Sequence, residues 1–564
     1  GWKARLSISD DNNIHNGHYF KFQSTAAPME FYFDLGAEAA LTSFNAQFNH
    51  RIPWGVQAPS SMTVYVSTDA ENWYGAGVLK IEPADENNPV DVTIALEKAI
   101  KARYICFAFN TVGWCGISEF EAFGTTSVEG ALTIEEAKLT RKEDMKKGYL
   151  PPSETVLNGA SDLCLLYQRT DRDSYTVDTL LPYLAYVDTE GKIKDVMFDS
   201  FLFLMSGNMA SGHNPLGEMN MKDMQWTIDN MFKEGYNMLA LEEAAGKVKK
   251  ELNLGDDFKY GVVVTIYDID PEGLAFGDID GDGKVDATNT LEKRLKVFEW
   301  YMETFEAKFA EYNFQNIEFV GYYWYREGVY PEHDQPELIR RTGDLARARG
   351  YSLSWIPWYC APGASNWRDY GFDMVCMQPN YVFDTTVPEG RLDQAARLIE
   401  FYGTGVEIEI GYNAMQNPTL RNRYLEYLSG GVKYGYMKDC MHMYYQEIQV
   451  YYDASKSPDP KVRAIYDYTY QFIKGTLNAY PEAVEVSATT TQDTPVSLKA
   501  LENPAANLTL ELVSSPVHGS VTLGNDGTIT YYPEAGFTGT VTLTFTYDEG
   551  LGESDVCTAT ITVE

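Results

Sequence analysis

The sequence predicts a chain of three folded parts: an all-β N-terminal segment, a central (β/α)8 barrel of the TIM type, and an all-β C-terminal segment. Three observations carry this prediction. A chain of 564 residues holds roughly three or four domains. Between residues 156 and 480, eight β-rich runs alternate with helical stretches, and such alternation implies parallel strands joined by crossovers. On either side the pattern reverts to short alternating runs broken by turn residues, the mark of β-sandwiches.

Residues 1–125 contain alternating runs such as Phe31–Leu35, Met62–Ser67 and Tyr104–Phe109. The phrases EFYFDLGAEAALTSFNAQF, PSSMTVYVSTDAENW and ARYICFAFNTVGWCGISEFEAFG resemble the discoidin-like, galactose-binding β-sandwich. The resemblance implies a jelly roll that often serves as a carbohydrate-binding module, with His50, Arg51, Trp54 and Trp114 as loop candidates for ligand contact. Residues 126–155 are Lys/Glu-rich and run into Pro151-Pro152, which reads as a linker with one helix.

In 156–480 the expected strands are Leu163–Gln168, Asp195–Leu204, Tyr260–Asp268, Ile317–Trp324, Ser352–Trp358, Met374–Tyr381, Val406–Gly411 and Tyr436–Tyr445. The expected helices are Thr176–Tyr186, Met221–Leu252, Asn289–Tyr312, Pro336–Arg349, Arg391–Tyr402, Leu420–Leu428 and Lys461–Leu477, with a single turn at Asn366–Tyr370. Residues 481–564 return to alternating runs, among them PVSLKALENP and CTATITVE. They resemble the tandem immunoglobulin- or cadherin-like modules of bacterial surface proteins, which implies a spacer.

Composition narrows the partners. Net charge is −36, and an acidic surface repels phosphate backbones, which excludes nucleic acid. No apolar run reaches the roughly 20 residues that span a bilayer. Acidity also suits Ca2+ and an extracellular setting. No signal peptide is visible at Gly1, which reads as a trimmed start. Aromatics reach 14%, with 40 Tyr and 10 Trp, and flat aromatic faces suit sugar rings. The seven cysteines include no CxxC pair, so neither a disulfide scaffold nor a zinc module is expected. One bridge, Cys106 to Cys115, fits the spacing. The seven His are isolated and no GxGxxG, P-loop, HExxH or GxSxG motif occurs. No cofactor is expected for catalysis.

In a TIM barrel the chemistry sits at the C-terminal strand ends. The fourth strand ends in Gly321-Tyr-Tyr-Trp-Tyr-Arg-Glu327 and the seventh reads Val406-Glu-Ile-Glu-Ile-Gly411. Side chains alternate along a strand, so Glu407 and Glu409 share a face, and Glu327 shares one with Tyr323 and Tyr325. Carboxylates inside an apolar barrel are costly unless paired or functional, and two carboxylates facing across a sugar perform glycoside hydrolysis. The layout resembles the clan of retaining (β/α)8 glycosidases. That resemblance implies Glu327 as acid/base and Glu409 as nucleophile, with Glu407 the alternate. Arg326 stands where the clan carries Asn. A competing expectation is an ion pair of Glu407 or Glu409 with Arg326 or Lys438.

Other strand ends offer sugar-binding groups: Asp199, Asp268, Gln378, Asn380, Tyr412, Asn413 and Tyr444 for hydrogen bonds, and Trp324, Trp355, Trp358, Tyr359 and Tyr381 for stacking. The phrases YYWYREGV, SWIPWYCAPGASNWRDYGFDMVCMQPNYVF and GVEIEIGYN resemble an uncharacterised bacterial family known as a domain of unknown function, found in secreted gut-type proteins beside discoidin modules. The resemblance implies a barrel in a polysaccharide or host-glycan context and a secreted or cell-surface location. Asp278-Ile-Asp280-Gly-Asp282-Gly283-Lys284-Val-Asp286 fits the first nine positions of an EF-hand-like loop for a structural Ca2+. Asn289 occupies the twelfth position, where an acidic residue is usual. The main expectation is a secreted glycoside hydrolase of retaining type. The alternatives are a non-catalytic, glycan-binding adhesive protein with a degenerate barrel, and a hydrolase using Asp199 with Glu327.

Overall fold

A computed structural model describes the chain apart from residues 1, 8–19, 24–28, 52–55, 57, 60, 82–87, 110–113, 156–159, 172–173, 274, 331, 389, 478–482, 502–507, 549–553 and 555.

The N-terminal part is one antiparallel seven-stranded sheet. Two strands dominate it, Met29–Asn49 and Val90–Phe109. Register breaks between Asp34 and Ala39 and between Leu41 and Ser43 bend these strands. They thereby enclose a core of Leu41, Phe44, Phe48, Val64, Phe107 and Phe120. This is the expected β-sandwich. Cys106 and Cys115 are free thiols. Cys115 lies in the main sandwich core while Cys106 joins Tyr65 and Ala108 in a separate cluster, so the one bridge that the spacing allowed does not form.

Residues 126–155 hold short 3-10 turns at Lys142–Asp144 and Pro152–Glu154 in place of the expected helix. Lys138 takes φ 52° and ends the one turn that starts at Thr133. The end of this segment is strapped to the barrel floor: Leu150 N–H donates to Thr404 O at 3.0 Å, and Met441 N–H donates to Leu150 O at 2.7 Å. Leu150 itself is buried in the barrel's core. The C-terminal mouth is left open.

The barrel comprises β1 (Asp162–Gln168), β2 (Ser200–Met205), β3 (Tyr260–Ile266), β4 (Ile317–Trp324), β5 (Ser352–Trp355), β6 (Met374–Met377), β7 (Gly405–Glu409) and β8 (His442–Tyr445). Each strand pairs in parallel with the next and β8 closes on β1. Its helices include α1 (Val177–Leu184), α2 (Met221–Met231), α3 (Asn237–Leu252), α4 (Leu291–Tyr312), α5 (Gln335–Ala348), α6 (Arg391–Tyr402), α7 (Asn413–Gln416), α8 (Pro418–Tyr434), α9 (Val450–Ser455) and α10 (Pro460–Ile473).

Two expectations change here. The single helix foreseen over 221–252 is α2 and α3, parted where Gly235 at φ 77° and Asn237 at φ 50° leave the right-handed region. The second strand starts at Ser200, because Ile193–Val196 pairs with Ala185–Val187 in a separate hairpin. The turn foreseen after β5 is a 3-10 helix at Ala364–Tyr370.

The C-terminal part stacks a four-stranded and a three-stranded sheet. They enclose Ile529, Tyr531, Leu543, Phe545 and Ile561, an immunoglobulin-like sandwich.

Candidate functional site

The C-terminal mouth of the barrel opens into a cleft of about 600 Å3. Glu327, Glu407 and Glu409 all line it, with Tyr323, Tyr325, Trp358, Gln378 and Tyr445. Strand alternation explains Tyr323, Glu407 and Glu409; past the end of β4, Tyr325, Arg326, Glu327 and Gly328 line the cleft in succession. On β4, Tyr323 points inward. Beside it Trp324 points outward and packs edge-on against Phe298 of α4, ring centroids 5.7 Å apart. On β7, Glu407 and Glu409 point inward together.

The three carboxyls differ in their bonding. Glu409, 1% exposed, accepts Tyr427 O–H at 2.6 Å, Asn380 N–H at 2.6 Å and Asn380 Nδ2 at 3.3 Å. Burial raises its carboxyl to about 7, and the Tyr427 and Asn380 hydrogen bonds hold it from going higher. The backbone of Asn380 sits at φ 49°, which turns its N–H and side chain onto Glu409. Glu407, 2% exposed, takes part in no hydrogen bond among the described residues. Burial and the neighbouring Glu409 and Glu327 carboxyls push it well above the usual carboxylate range. Glu327 opens to the cleft. The protein crowded around it raises its carboxyl, and Gln378 pulls it back.

Arg326 lies beside Glu327 on the cleft wall. Its Nε is 3.2 Å from Asp268 and its guanidinium lies 5.5 Å from the Tyr330 ring centroid. Burial raises the Asp268 carboxyl and Arg326 lowers it. The ion pair expected between Arg326 and a β7 glutamate is thus made with Asp268. Lys438 forms no ion pair with either glutamate among the described residues.

The other expected contacts divide. Trp358 and Gln378 line the cleft. Asn380 acts through Glu409. Trp355 stacks on Phe372 at 4.7 Å and donates its ring N–H to Arg326 O at 2.8 Å, so it supports the wall from behind. Tyr359 lies under the Arg391 guanidinium and Tyr381 under that of Arg423, both away from the cleft. Tyr412 donates its O–H to Asp453 at 3.0 Å, and Asn413 opens α7 on the surface. Tyr444 faces outward and donates to Asp162 at 2.5 Å. Its neighbour Tyr445, opposite Glu409 in register, is the one in the cleft.

Asp199 is a correction. Preceding β2, it accepts Ser161 N–H at 2.7 Å and Asp162 N–H at 3.1 Å at the opposite end of the barrel. It therefore cannot partner Glu327. Alternation alone points to Tyr323 and Tyr445. Nothing local points to Leu216, which reaches the cleft from a two-residue strand paired with Asp268–Ile269, or to Phe383, which reaches it from a loop.

In the acidic loop, one oxygen each of Asp278, Asp280 and Asp286 lie within 4.8 Å of one another. Gly281 and Gly283 at φ 75° and 84° turn the chain around that point. Asp282 pairs with Lys284 at 2.8 Å, and Asn289 accepts Lys293 Nζ at 3.0 Å. The Asp282 and Asn289 side chains are therefore directed elsewhere than the carboxylate triad. On the N-terminal module, His50 is buried and its Nδ1 accepts Ala58 N–H at 3.2 Å. Arg51 bridges to Val56. Trp54 and the Trp114 side chain lie outside the described residues.

The molecule is thus a TIM-type barrel whose carboxyl-lined mouth lies between two β-sandwich modules in the chain. The chain belongs to the family described as Domain of unknown function (DUF4855), whose model matches residues 162–471, more than half of its length. Residues 1–120 match the F5/8 type C domain and residues 478–564 the Bacterial Ig domain. No curated protein matches the chain significantly.

Among solved structures, CpGH89CBM32-6 produced by Clostridium perfringens is 16% identical with a TM-score of 0.16, covering 22% of this chain and 93% of its own. Chitosan-binding module 1 derived from a chitosanase/glucanase of Paenibacillus sp. IK-5 is 18% identical with a TM-score of 0.15, covering 22% and 94%. The cell-surface chitinase ChiW of Paenibacillus sp. FPU-7 is 11% identical with a TM-score of 0.31, covering 96% of this chain and 52% of its own. No helix among the described residues is long and apolar enough to cross a membrane.

Proposed function

We propose that the barrel is a glycoside hydrolase of retaining type acting outside the cell on a polysaccharide or host glycan. The observation that carries the reading is the convergence of Glu327 from just past β4 and Glu409 from β7 on one aromatic-walled cleft. Glu327, open to the cleft with a raised carboxyl, donates its proton to the glycosidic oxygen. Glu409, held by Tyr427 and Asn380, attacks the anomeric carbon as the C–O bond breaks. Water then loses its proton to Glu327 and displaces Glu409, which completes retention. Trp358 and Tyr445 present faces for the sugar rings.

The test is hydrolysis of neutral hexasaccharides (cello-, chito-, xylo- and mannohexaose) with product stereochemistry followed by proton NMR. Glu409→Gln should lose roughly a thousandfold or more in turnover while still binding. Glu327→Gln should lose turnover most on poor leaving groups. Unchanged activity in either variant removes that residue from the mechanism.

One observation favours a second reading, a glycan-binding protein without turnover. Arg326, tied to Asp268, stands where the glycosidase clan carries Asn. Binding of a hexasaccharide with no product by wild type would establish it.

The carboxylate triad of Asp278, Asp280 and Asp286 is proposed to hold a structural Ca2+, supported by the Asp278 Oδ1 that is buried without a partner. At a hundredfold excess over Kd, Ca2+ should add about 2.7 kcal/mol to unfolding stability, read as a melting-temperature difference against EDTA. Asp278→Asn should abolish that difference and Asn289→Ala should leave it.

A further inference from the structure

Glu407 is the group in the cleft that the reaction just described does not use. It lies on the same face of β7 as Glu409, 2% exposed, and borders the cleft. Glu409 has three hydrogen bonds from its surroundings and Glu407 has none among the described residues. The ionisable groups around it are the Glu409 and Glu327 carboxyls, the Tyr167, Tyr323 and Tyr445 phenols and the Cys376 thiol, and among the described residues no cation is paired with it. The one cation on the cleft wall, Arg326, is engaged by Asp268.

A buried polar group in a native structure normally finds a partner. Among the described residues no triad of acidic ligands includes Glu407. Three carboxyls on one ion must bring their oxygens together, and among the described residues the one such triad is Asp278, Asp280 and Asp286. What remains is a partner that enters the cleft.

The state of Glu407 decides what that partner is. Burial and two neighbouring carboxyls disfavour its anion. A neutral carboxylic acid offers one O–H donor. Resting on the glycan reading of this cleft, we infer that Glu407 is a substrate-contacting residue: from the cleft floor its carboxylic acid donates a hydrogen bond to an uncharged oxygen of a bound sugar, a hydroxyl or an acetamido carbonyl. It thereby selects neutral rings over acidic ones, whose carboxylates would face three carboxyls at once. Glu407 is then a specificity residue, distinct from the nucleophile beside it.

The test uses the full chain, with Glu407→Gln and Glu407→Leu each made in wild type and in Glu409→Gln. Calorimetric titrations are run in the Glu409→Gln background, which the proposed reaction leaves without turnover, with the four neutral hexasaccharides and with galacturonic acid hexamer. The amide of Glu407→Gln still donates, so its affinity for whichever neutral hexasaccharide the Glu409→Gln parent binds should stay within about threefold. Glu407→Leu leaves the sugar oxygen unpaired and should weaken binding at least about tenfold. The galacturonic acid hexamer should bind the Glu409→Gln parent at least about tenfold more weakly than the neutral ligand.

On the ligand-free protein at neutral pH, the infrared difference between wild type and Glu407→Gln should show a protonated-carboxyl carbonyl band. In the Glu409→Gln background that band should shift when the neutral hexasaccharide is added. Four results overturn the inference alone: Glu407→Leu binding like its Glu409→Gln parent, Glu407→Gln falling as far as Glu407→Leu, equal binding of the acidic hexamer, or a carboxylate signature in the difference spectrum. Absence of any hexasaccharide binding by Glu409→Gln overturns this inference, and with no binding or turnover by wild type it overturns the glycan reading as well.

Discussion

The two ends of the barrel bury the same kind of group in opposite ways. At the floor, Asp162 and Asp199 sit among donors. Asp199 accepts two backbone N–H groups and the Ser200 hydroxyl at 3.0 Å. Asp162 is met by the Tyr444 hydroxyl at 2.5 Å, the Ser161 hydroxyl at 2.5 Å and His442 Nδ1 at 3.3 Å. His442 Nε2 donates to Tyr436 O at 2.7 Å, which leaves its Nδ1 for Asp162. At the mouth, Glu407 has no hydrogen-bond partner among the described residues and Glu409 has donors on one side with the cleft on the other. Raised carboxyls occur at both ends, Asp199 and Glu409 each to about 7, with burial the largest cause in both. A shifted carboxyl therefore does not mark a reaction centre. What sets the mouth apart is bonding capacity left facing a cavity.

The largest effect should come from breaking the floor. Burial works against the His442 imidazolium, but Cys440 and Asp162 outweigh it and raise its pKa from 6.5 to about 10. His442→Leu should cost about 3–5 kcal/mol at neutral pH, because it strands a buried carboxylate. The folded pKa of His442 lies above its unfolded value. Its stabilisation is therefore full below about 6.5 and is lost as pH rises through about 10. Chemical denaturation of wild type and variant across that range should show the gap close.

At the mouth the same kind of change should have the opposite sign. Glu407→Leu exchanges an unpartnered buried carboxyl for apolar volume and should stabilise by about 1–3 kcal/mol. A loss of stability of that size would instead mean that Glu407 has a structural partner. The smallest effect sharpens the contrast within the mouth. Tyr427→Phe removes a hydrogen bond that holds the Glu409 carboxyl down, so its pKa rises. In the proposed reaction the acid limb of kcat/KM follows the Glu409 carboxyl and should then move about one pH unit upward.

Much of this was legible in the sequence. Alternation along VEIEI placed Glu407 and Glu409 on one inward face, and the structure brings both to the cleft, where Glu327 joins them from just past the end of β4. The same rule separates Tyr445 in the cleft from Tyr444 outside it. The errors arose where strand boundaries or distant neighbours decide. A strand drawn from 195 placed Asp199 at the wrong end, because 193–196 is taken by a local hairpin. Trp324, Trp355, Tyr359 and Tyr381 read as ligand platforms, and each is packed on its own barrel or loop framework.

The sequence by itself determined the three-part order, the barrel and the faces of its strands. Those follow from backbone periodicity and side-chain alternation, which act over a few residues. Only the tertiary structure decided which buried acids are saturated and which are left open. Their partners come from far along the chain: His442 meets Asp162 across 280 positions, and Asn380 clamps Glu409 across 29. A hydrogen bond acts over about 3 Å in space and leaves no periodic trace in the sequence between its ends.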